Sequence, residues 1–580
     1  MKHFLLFLVI SFPLLVKGQL LDTSYTNIFT QVSEYRNYNE VYLGNMGMAK
    51  YNLLNPFDDN NPEVKNLFSV NSSTGTYTDI LYVLGSGTEN YFDLEHHQYL
   101  AKDLFGEAKL LKTNSQGIYR FQQADLSDFR IKLNYSPEDK RYNATVIFQN
   151  YKRFNEVNAG VPDTSFFALM DSGNANVKTT FPVNIEGIGT SYVNFMQYKA
   201  LDINYAHNFK LYNPKTDSGK TLKLEQTLSY NRTKRNFTLA SATDFFDDIF
   251  LDSFQTQDSM QLEQLSHTLG ISFEAKDFKI NLGFGQNYFE YNSLAPFEVH
   301  LENFLYGRLT YAKNKFKLNS QAEFLTSEGK YESHYIKNNF VFEDSSKSIF
   351  QKYSGRLNYI TDLPELYFNS YSANNFNWNR TNDLNTIVQA SFSAENIDHG
   401  TKVGVNFESQ SNAVYFDTSS QIGQTSISLL SFSLAKEFRL TNWMYFSTQI
   451  NVQDILSSSA IEVPNFVTNN KLYFRGKLIK KTLSFDAGIN VLYYSNFNAR
   501  AYNPSLDAFF VQENQSVGNY PFIDVFAEFY LRKSFAFFMT VTHVNSNLLT
   551  PITGDNYLAT TLYPRQDRAF KFGFKWRLFD

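Results

Sequence analysis

The 580-residue chain contains no cysteine, which excludes disulfides, thiolate metal sites and a lipid-anchored cysteine behind a leader. It also lacks charge imbalance: 52 Lys and Arg against 57 Asp and Glu give a formal charge of −5, too mild to point to nucleic acid. Beyond residue 16 no apolar run approaches the roughly 20 residues that a membrane-spanning helix needs. Aromatic residues, by contrast, are abundant. They form 17% of the chain, with 38 Tyr and 57 Phe, yet the mean hydropathy is −0.35. An ordinary soluble core does not combine those two values. A membrane β-barrel does, because only half of each strand faces lipid, aromatic girdles mark the interfaces, and lumen and loops stay polar.

The start, MKHFLLFLVISFPLLVKGQ, has basic Lys2, an apolar core from Phe4 to Val16, and small residues before Gln19. This reads as a secretory signal peptide over 1–18, too short to span a bilayer. An exported protein placed in the outer membrane is expected.

Alternation of apolar and polar residues runs through most of the chain. In TLSFDAGINVLYY, Leu483, Phe485, Ala487, Ile489 and Val491 share one face, and Ser484, Asp486, Gly488 and Asn490 the other. FRIKLNY, KINLGFGQNY, KVGVNFE, KLYFRGKL and FIDVFAEFYL repeat the pattern. Short connections at 274–279, 311–317, 478–483 and 530–535 alternate with long polar ones at 152–199, 234–262, 361–383, 453–470, 496–519 and 546–566. One rim of tight turns and one of loops is the pattern of an up-and-down antiparallel transmembrane barrel, with short periplasmic turns and long extracellular loops. The count from residue 76 is about 20 strands, within 18–22. A receptor with a full plug domain and 22 strands is disfavoured on length, since few residues would remain for loops. Residues 19–75, rich in turn chemistry, form a periplasmic tail or a small plug, and 76–580 the barrel.

The ending KFGFKWRLFD carries a strand whose pairing with the first would remove an edge that hydrocarbon cannot solvate. Lys571, Gly573, Trp576 and Leu578 fit the spacing of a C-terminal barrel-assembly signal, which makes the assembly machinery an expected partner beside outer-membrane lipid.

The stretches YTDILYVLGSGTENYFDLEHHQYL and FRIKLNYSPEDKRYNATVIFQNYKRFNEVNAGVPD, the LGNMG near residue 43 and the ending YPRQDRAFKFGFKWRLFD resemble the putative porin family of Bacteroidota. The resemblance implies an outer-membrane barrel acting as a porin. It also implies an acidic, glycine-rich loop behind the strand ending near residue 153. FNEVNAGVPD is similar to that loop without the usual double glycine, so a constricting role is left open.

Chemistry is sparse. His96 and His97 adjoin on a strand and so point to opposite faces, unlike the paired histidines of a helical zinc motif. GSG at 85–87 lacks the helix of a phosphate loop and reads as a turn. NPFDDNNPE misses the spacing of a calcium-binding loop. No serine, aspartate and histidine spacing points to a hydrolase, and no cofactor is expected. The candidate functional residues are the charges alternating with the apolar face: Arg130, Lys132, Lys279, Lys402, Lys471, Arg475, Lys477, Asp486, Asp524, Glu528, Lys571, Lys575 and Arg577. Lining a watery bore, the bases would favour anions; paired with lumen acids, or placed at the rim, they would not. The leading expectation is a passive channel for small hydrophilic solutes. The alternatives are a plugged substrate-specific transporter and a scaffold barrel for a secretion or surface-protein complex; a homo-oligomer is expected by analogy with trimeric porins.

Overall fold

Strands so patterned can satisfy their backbone groups only by pairing laterally, and in the computed structural model they do so around a complete ring. The structure describes residues 75–580 except 118–122, 139–140, 161–193, 213–218, 241–245, 247, 295–297, 327–332, 345–347, 458–460, 481, 533, 547–557, 561–562, 565–567 and 580. The expected leader, nearly all of 19–75, LGNMG and NPFDDNNPE therefore lie outside the described residues.

The ring has 22 antiparallel strands. They are β1 Tyr77–Gly85, β2 Glu89–Ala101, β3 Leu104–Ser115, β4 Ala124–Tyr135, β5 Tyr142–Glu156, β6 Phe195–Tyr212, β7 Thr221–Leu239 and β8 Thr256–Glu274. Then come β9 Phe278–Asn292, β10 Glu298–Lys313, β11 Phe316–Leu325, β12 His334–Glu343, β13 Lys352–Asp362, β14 Asn385–Asn396, β15 Thr401–Phe416 and β16 Ile422–Arg439. The last six are β17 Met444–Ile455, β18 Phe466–Ile479, β19 Leu483–Tyr494, β20 Phe522–Leu531, β21 Phe535–Thr542 and β22 Ala569–Phe579. Each pairs with the next, and β22 pairs with β1 from Phe579↔Tyr77 to Lys571↔Gly85. The expectation of about 20 strands thus resolves to 22.

One rim carries tight connections such as 102–103, 275–277, 314–315, 480–482 and 532–534. Asn314, at φ 53, turns the chain in the left-handed region that two-residue hairpins require. The other rim carries 157–194, 240–255, 363–384, 495–521 and 543–568. Twenty-two strands fit the chain, within the expected 18–22, because several of the remaining connections are turns of two to four residues and release chain for these loops.

Alternation sorts the two faces. Leu282, Ile271, Leu305, Phe432 and Leu357 are each more than 50% exposed on the outer wall. Their sequence neighbours turn inward, where Asp128 accepts from Gln149 (2.9 Å) and Ser266 donates to Asn287 (2.7 Å). With strands about 4.8 Å apart and tilted roughly 40°, 22 of them enclose a bore about 45 Å across between backbones. Side chains alone cannot fill such a space.

The seam shows why the last strand reads as it does. Lys571 on β22 and Glu89 on β2 both stand beside Gly85 of β1 and meet over it at 2.7 Å, each almost fully buried. Arg577 pairs with Asp79 across the same joint. Gly573 lies beneath the Phe538 ring, and a Cβ there would come 2.8 Å from that ring and 2.1 Å from the Tyr82 carbonyl. Trp576 and Leu578 face outward, 42% and 37% exposed.

Candidate functional site: loops that cross the bore

Within 495–521 the stretch AYNPSLDAFF folds back on itself. Ala501–Asn503 pairs with Ala508–Phe510, two short strands of the main sheet that stand outside the ring. Asn503 makes the turn, its side-chain oxygen accepting from the Ser505 amide (3.1 Å) and hydroxyl (3.0 Å), with Pro504 fixing the backbone between them. Asp507 adopts φ 54.

This hairpin leaves the ring between β19 and β20 but docks elsewhere. Its Asp507 carboxylate accepts from Arg153 on β5 at 2.9 Å, with side chains 1% and 3% exposed, and from the Tyr502 hydroxyl at 2.7 Å. Arg153 also lies over the Tyr198 ring at 5.6 Å. The Leu506 carbonyl accepts from Arg235 on β7 and, at 3.4 Å, from the Tyr367 hydroxyl. The Val511 amide donates to the Phe416 carbonyl at the end of β15 (2.9 Å). Counted through the seam, β7 stands nine strands from β20 in a ring of 22, so the hairpin reaches close to the far wall.

The loop 363–384 meets it there. Its helical turn Leu366–Asn369 and its ribbon of Ser370–Ser372 against Asn377–Asn379 bring Tyr367, Phe368, Tyr371 and Trp378 onto Met260, Tyr291, Phe416, Leu506 and Ala508. Asn374 ties the loop to the rim: its amide donates to Asp258 (2.7 Å), and its side-chain oxygen accepts from the Leu251 and Asp252 amides. Arg235 is enclosed by this assembly, over the Tyr367 and Tyr371 rings at 5.2 and 5.6 Å and donating to the Tyr371 hydroxyl at 3.1 Å. Burial pushes the Tyr371 phenol up to about 12, so it meets the guanidinium as a neutral hydroxyl. The positive charge is held by the two rings, the Tyr371 hydroxyl and the Leu506 carbonyl. Chemically, the arrangement is a bar fastened to the wall by two buried arginines.

The sequence-selected charges all stand on the inner face, several joined in pairs. Arg130 meets Glu107 (2.7 Å); Lys279 meets Glu274 (3.1 Å) and Glu225 (3.5 Å); Arg475 binds Asp486 in bidentate fashion, the closest contact 2.8 Å. Lys571 and Arg577 hold the seam. Lys471 lies over the Phe526 ring at 4.4 Å, Glu528 accepts from Tyr530, and Asp524 accepts from the His543 amide at 2.9 Å. Lys132 faces Glu107 in register, Lys575 shares the seam strand, and Lys402 and Lys477 are exposed. His97 is buried, stacked on Tyr77 and bonded to Glu95 at 2.6 Å, while His96 bonds Thr78 (2.8 Å) on the opposite face. Behind β5, Val157 and Ala159 pack with Met196, Phe237, Leu239 and Phe246; of FNEVNAGVPD only residues 161–163 lie outside the described residues.

Sequence reading passed over Arg153, Arg235, Asp507, Tyr367 and Tyr371. The available signal was the density of aromatic and aliphatic residues inside stretches otherwise rich in Asn, Ser and Pro.

A closed antiparallel barrel whose loops turn into its own bore belongs to the class of porin-like and transporter-like barrels. Within that class, the chain belongs to the family described as putative porin, whose sequence profile matches residues 13–580. Similar solved structures include the FrpB iron transporter from Neisseria meningitidis (F3-3 variant), at TM-score 0.57 and 10% identity over 87% of this chain and 81% of that one. A mutant of the ferric enterobactin receptor from Pseudomonas aeruginosa (TM-score 0.59, 10% identity, 87% and 80% covered) and the siderophore receptor PiuA from Acinetobacter baumannii (0.54, 10%, 87% and 82%) share the fold. No curated protein matches the sequence.

Proposed function

We propose that the chain is an outer-membrane channel for small hydrophilic solutes, narrowed near its long-loop end by the hairpin 501–510 and the loop 363–384. One observation carries the reading: the hairpin is anchored on β5 and β7, across the bore from the strands it leaves. The exposed apolar outer wall supports residence in a bilayer, since an aliphatic and aromatic belt of that extent is costly in water. A leader at 1–18 would deliver the chain, and the terminal strand would present it to the assembly machinery. Neutralisation of Arg130, Lys279, Arg475, Lys571 and Arg577 by carboxylates argues against strong anion preference. Refolded protein in planar bilayers, challenged with sugars of graded size, should conduct with a size cut-off well below that of an open 22-stranded bore. No conductance with or without the hairpin would sink the reading.

A second reading, a plugged transporter, is favoured by the likeness in strand arrangement to an iron transporter and siderophore receptors. Residues 19–75 would then supply further filling, and deleting 20–75 should raise conductance.

A further inference from the structure

The outer wall bears a row of like charges. Lys112 on β3, Lys152 on β5, Lys199 on β6 and Lys234 on β7 follow one line of cross-strand partners: Lys112↔Ser127, Ser127↔Lys152, Lys152↔Lys199, Lys199↔Lys234. All four alternate with the inner-face residues Thr113, Arg153, Tyr198 and Arg235, of which all but the half-buried Tyr198 are buried, and so point away from the bore. Each sits a few residues below the long-loop end of its strand. Three lysines directly opposite one another on adjacent strands repel. Among the described residues, none of the four is in an ion pair. The nearest acids on this face are Asp125, one row nearer the rim and bonded to Gln123, and Glu263, engaged by Arg232 and Tyr230.

The surroundings fix the depth. On the bore-closing side of the row lie Asn114, Asp125, Gln197, Asn236 and Ser259 with one aromatic, Phe154; on the other, a mixed row with Phe129, Leu201 and Arg232 leads, two steps down, to Ile131, Phe148, Ile203, Tyr230 and Leu265. The lysines thus stand where the apolar wall gives way to the polar rim. Beside them the wall is hollowed into a depression of about 570 Å³, with Tyr82 and Phe92 at one end, Ser127 as floor, and Lys112 and Lys152 on either side. Small Ser127 between two lysines leaves room for a group held by both.

We propose that this row docks phosphorylated headgroups of outer-leaflet lipid, the depression seating a phosphate between Lys112 and Lys152 with saccharide or acyl chain against Tyr82 and Phe92. The inference rests on the membrane-barrel reading. A free phosphate would gain from the ammoniums but have no use for the aromatic wall. Four ammoniums in line at the apolar boundary match the spread of charge in a headgroup plane, and lipid phosphate would relieve their repulsion.

The test uses the full-length protein reconstituted in phosphatidylcholine nanodiscs with and without a bis-phosphorylated glucosamine-disaccharide lipid. Lipid retained after detergent extraction is quantified by phosphorus content and mass spectrometry. Each of Lys112→Gln, Lys152→Gln, Lys199→Gln and Lys234→Gln should weaken retention by about fivefold, and the quadruple variant should lose it while keeping the heat-modifiable gel mobility of a folded barrel. Retention by the quadruple variant, or an equal loss from Lys102→Gln with Lys276→Gln at the short-turn rim, would overturn the proposal. Inorganic phosphate displacing the lipid at millimolar concentration would reassign the site to free anions and overturn it too. Failure of the membrane reading looks different: the wild-type chain would not enter the nanodiscs.

Discussion

Replacing Asp507 by alanine tests the bar directly. In the native structure its carboxylate is the acceptor for the Arg153 guanidinium at 2.9 Å and for Tyr502 at 2.7 Å, where both charged side chains are at most 3% exposed. Removing one partner of a buried pair leaves the other charge in a poor solvent, at about 3–5 kcal/mol. Nothing in the ring depends on that contact, since the pairings of β5, β19 and β20 run through their own backbones. The penalty therefore falls on the hairpin's seat and lowers the ratio of seated to unseated hairpin by roughly two to four powers of ten. In planar bilayers the variant should show larger or frequently switching unitary conductance and pass larger sugars, with unchanged heat-modifiable mobility. A double variant, Arg153→Met with Asp507→Leu, removes both charges at similar volume and should return conductance towards the native value. Native conductance in Asp507→Ala, or a double variant as open as the single one, would refute the reasoning.

Other consequences are equally accessible. Because the chain has no cysteine, cysteines at Phe416 and Phe510, which form a single parallel bridge pair, give a clean lock: oxidised protein should conduct at or below the native level, and reduction should release it. Gly573→Val places side-chain atoms against the Phe538 ring and the Tyr82 carbonyl; overpacking there should cost about 1–3 kcal/mol and slow assembly, read as loss of the folded gel band. Glu89→Gln leaves Lys571, 1% exposed, without its carboxylate, and should lower seam stability by about 3–5 kcal/mol, seen as an earlier thermal transition. Lys402→Gln with Lys477→Gln, which alters exposed inner-face bases, should shift reversal potential in a salt gradient towards cations, whereas Arg475→Gln, by freeing the acidic Asp486, should shift it further in that direction.

Much of the fold can be read directly from the chain. The outward sets Phe129, Ile131 and Leu133, or Val525, Ala527 and Phe529, need only the two-residue period of a strand, which is local. The tight connections at 314–315 and 532–534 announce themselves by short polar breaks between such periods. Register does not. That Lys571 meets Glu89 over Gly85, or that Arg475 faces Asp486, depends on which residue of one strand lies opposite which of the next, and a shift by two keeps every face intact. Composition misled at 501–510: Asn503, Pro504 and Ser505 mark an exposed turn by type, yet all three lie among buried residues.

What the sequence determined by itself was therefore the alternation and the two kinds of connection, hence an antiparallel barrel. Tertiary structure alone decided that 22 strands close the ring, which inner charges cancel, and that Asp507 reaches Arg153 across 354 residues of chain. The physical reason is range. Strand faces follow from neighbours in sequence, whereas pairing, desolvation of an arginine and the filling of a wide bore follow only from groups that closure brings together.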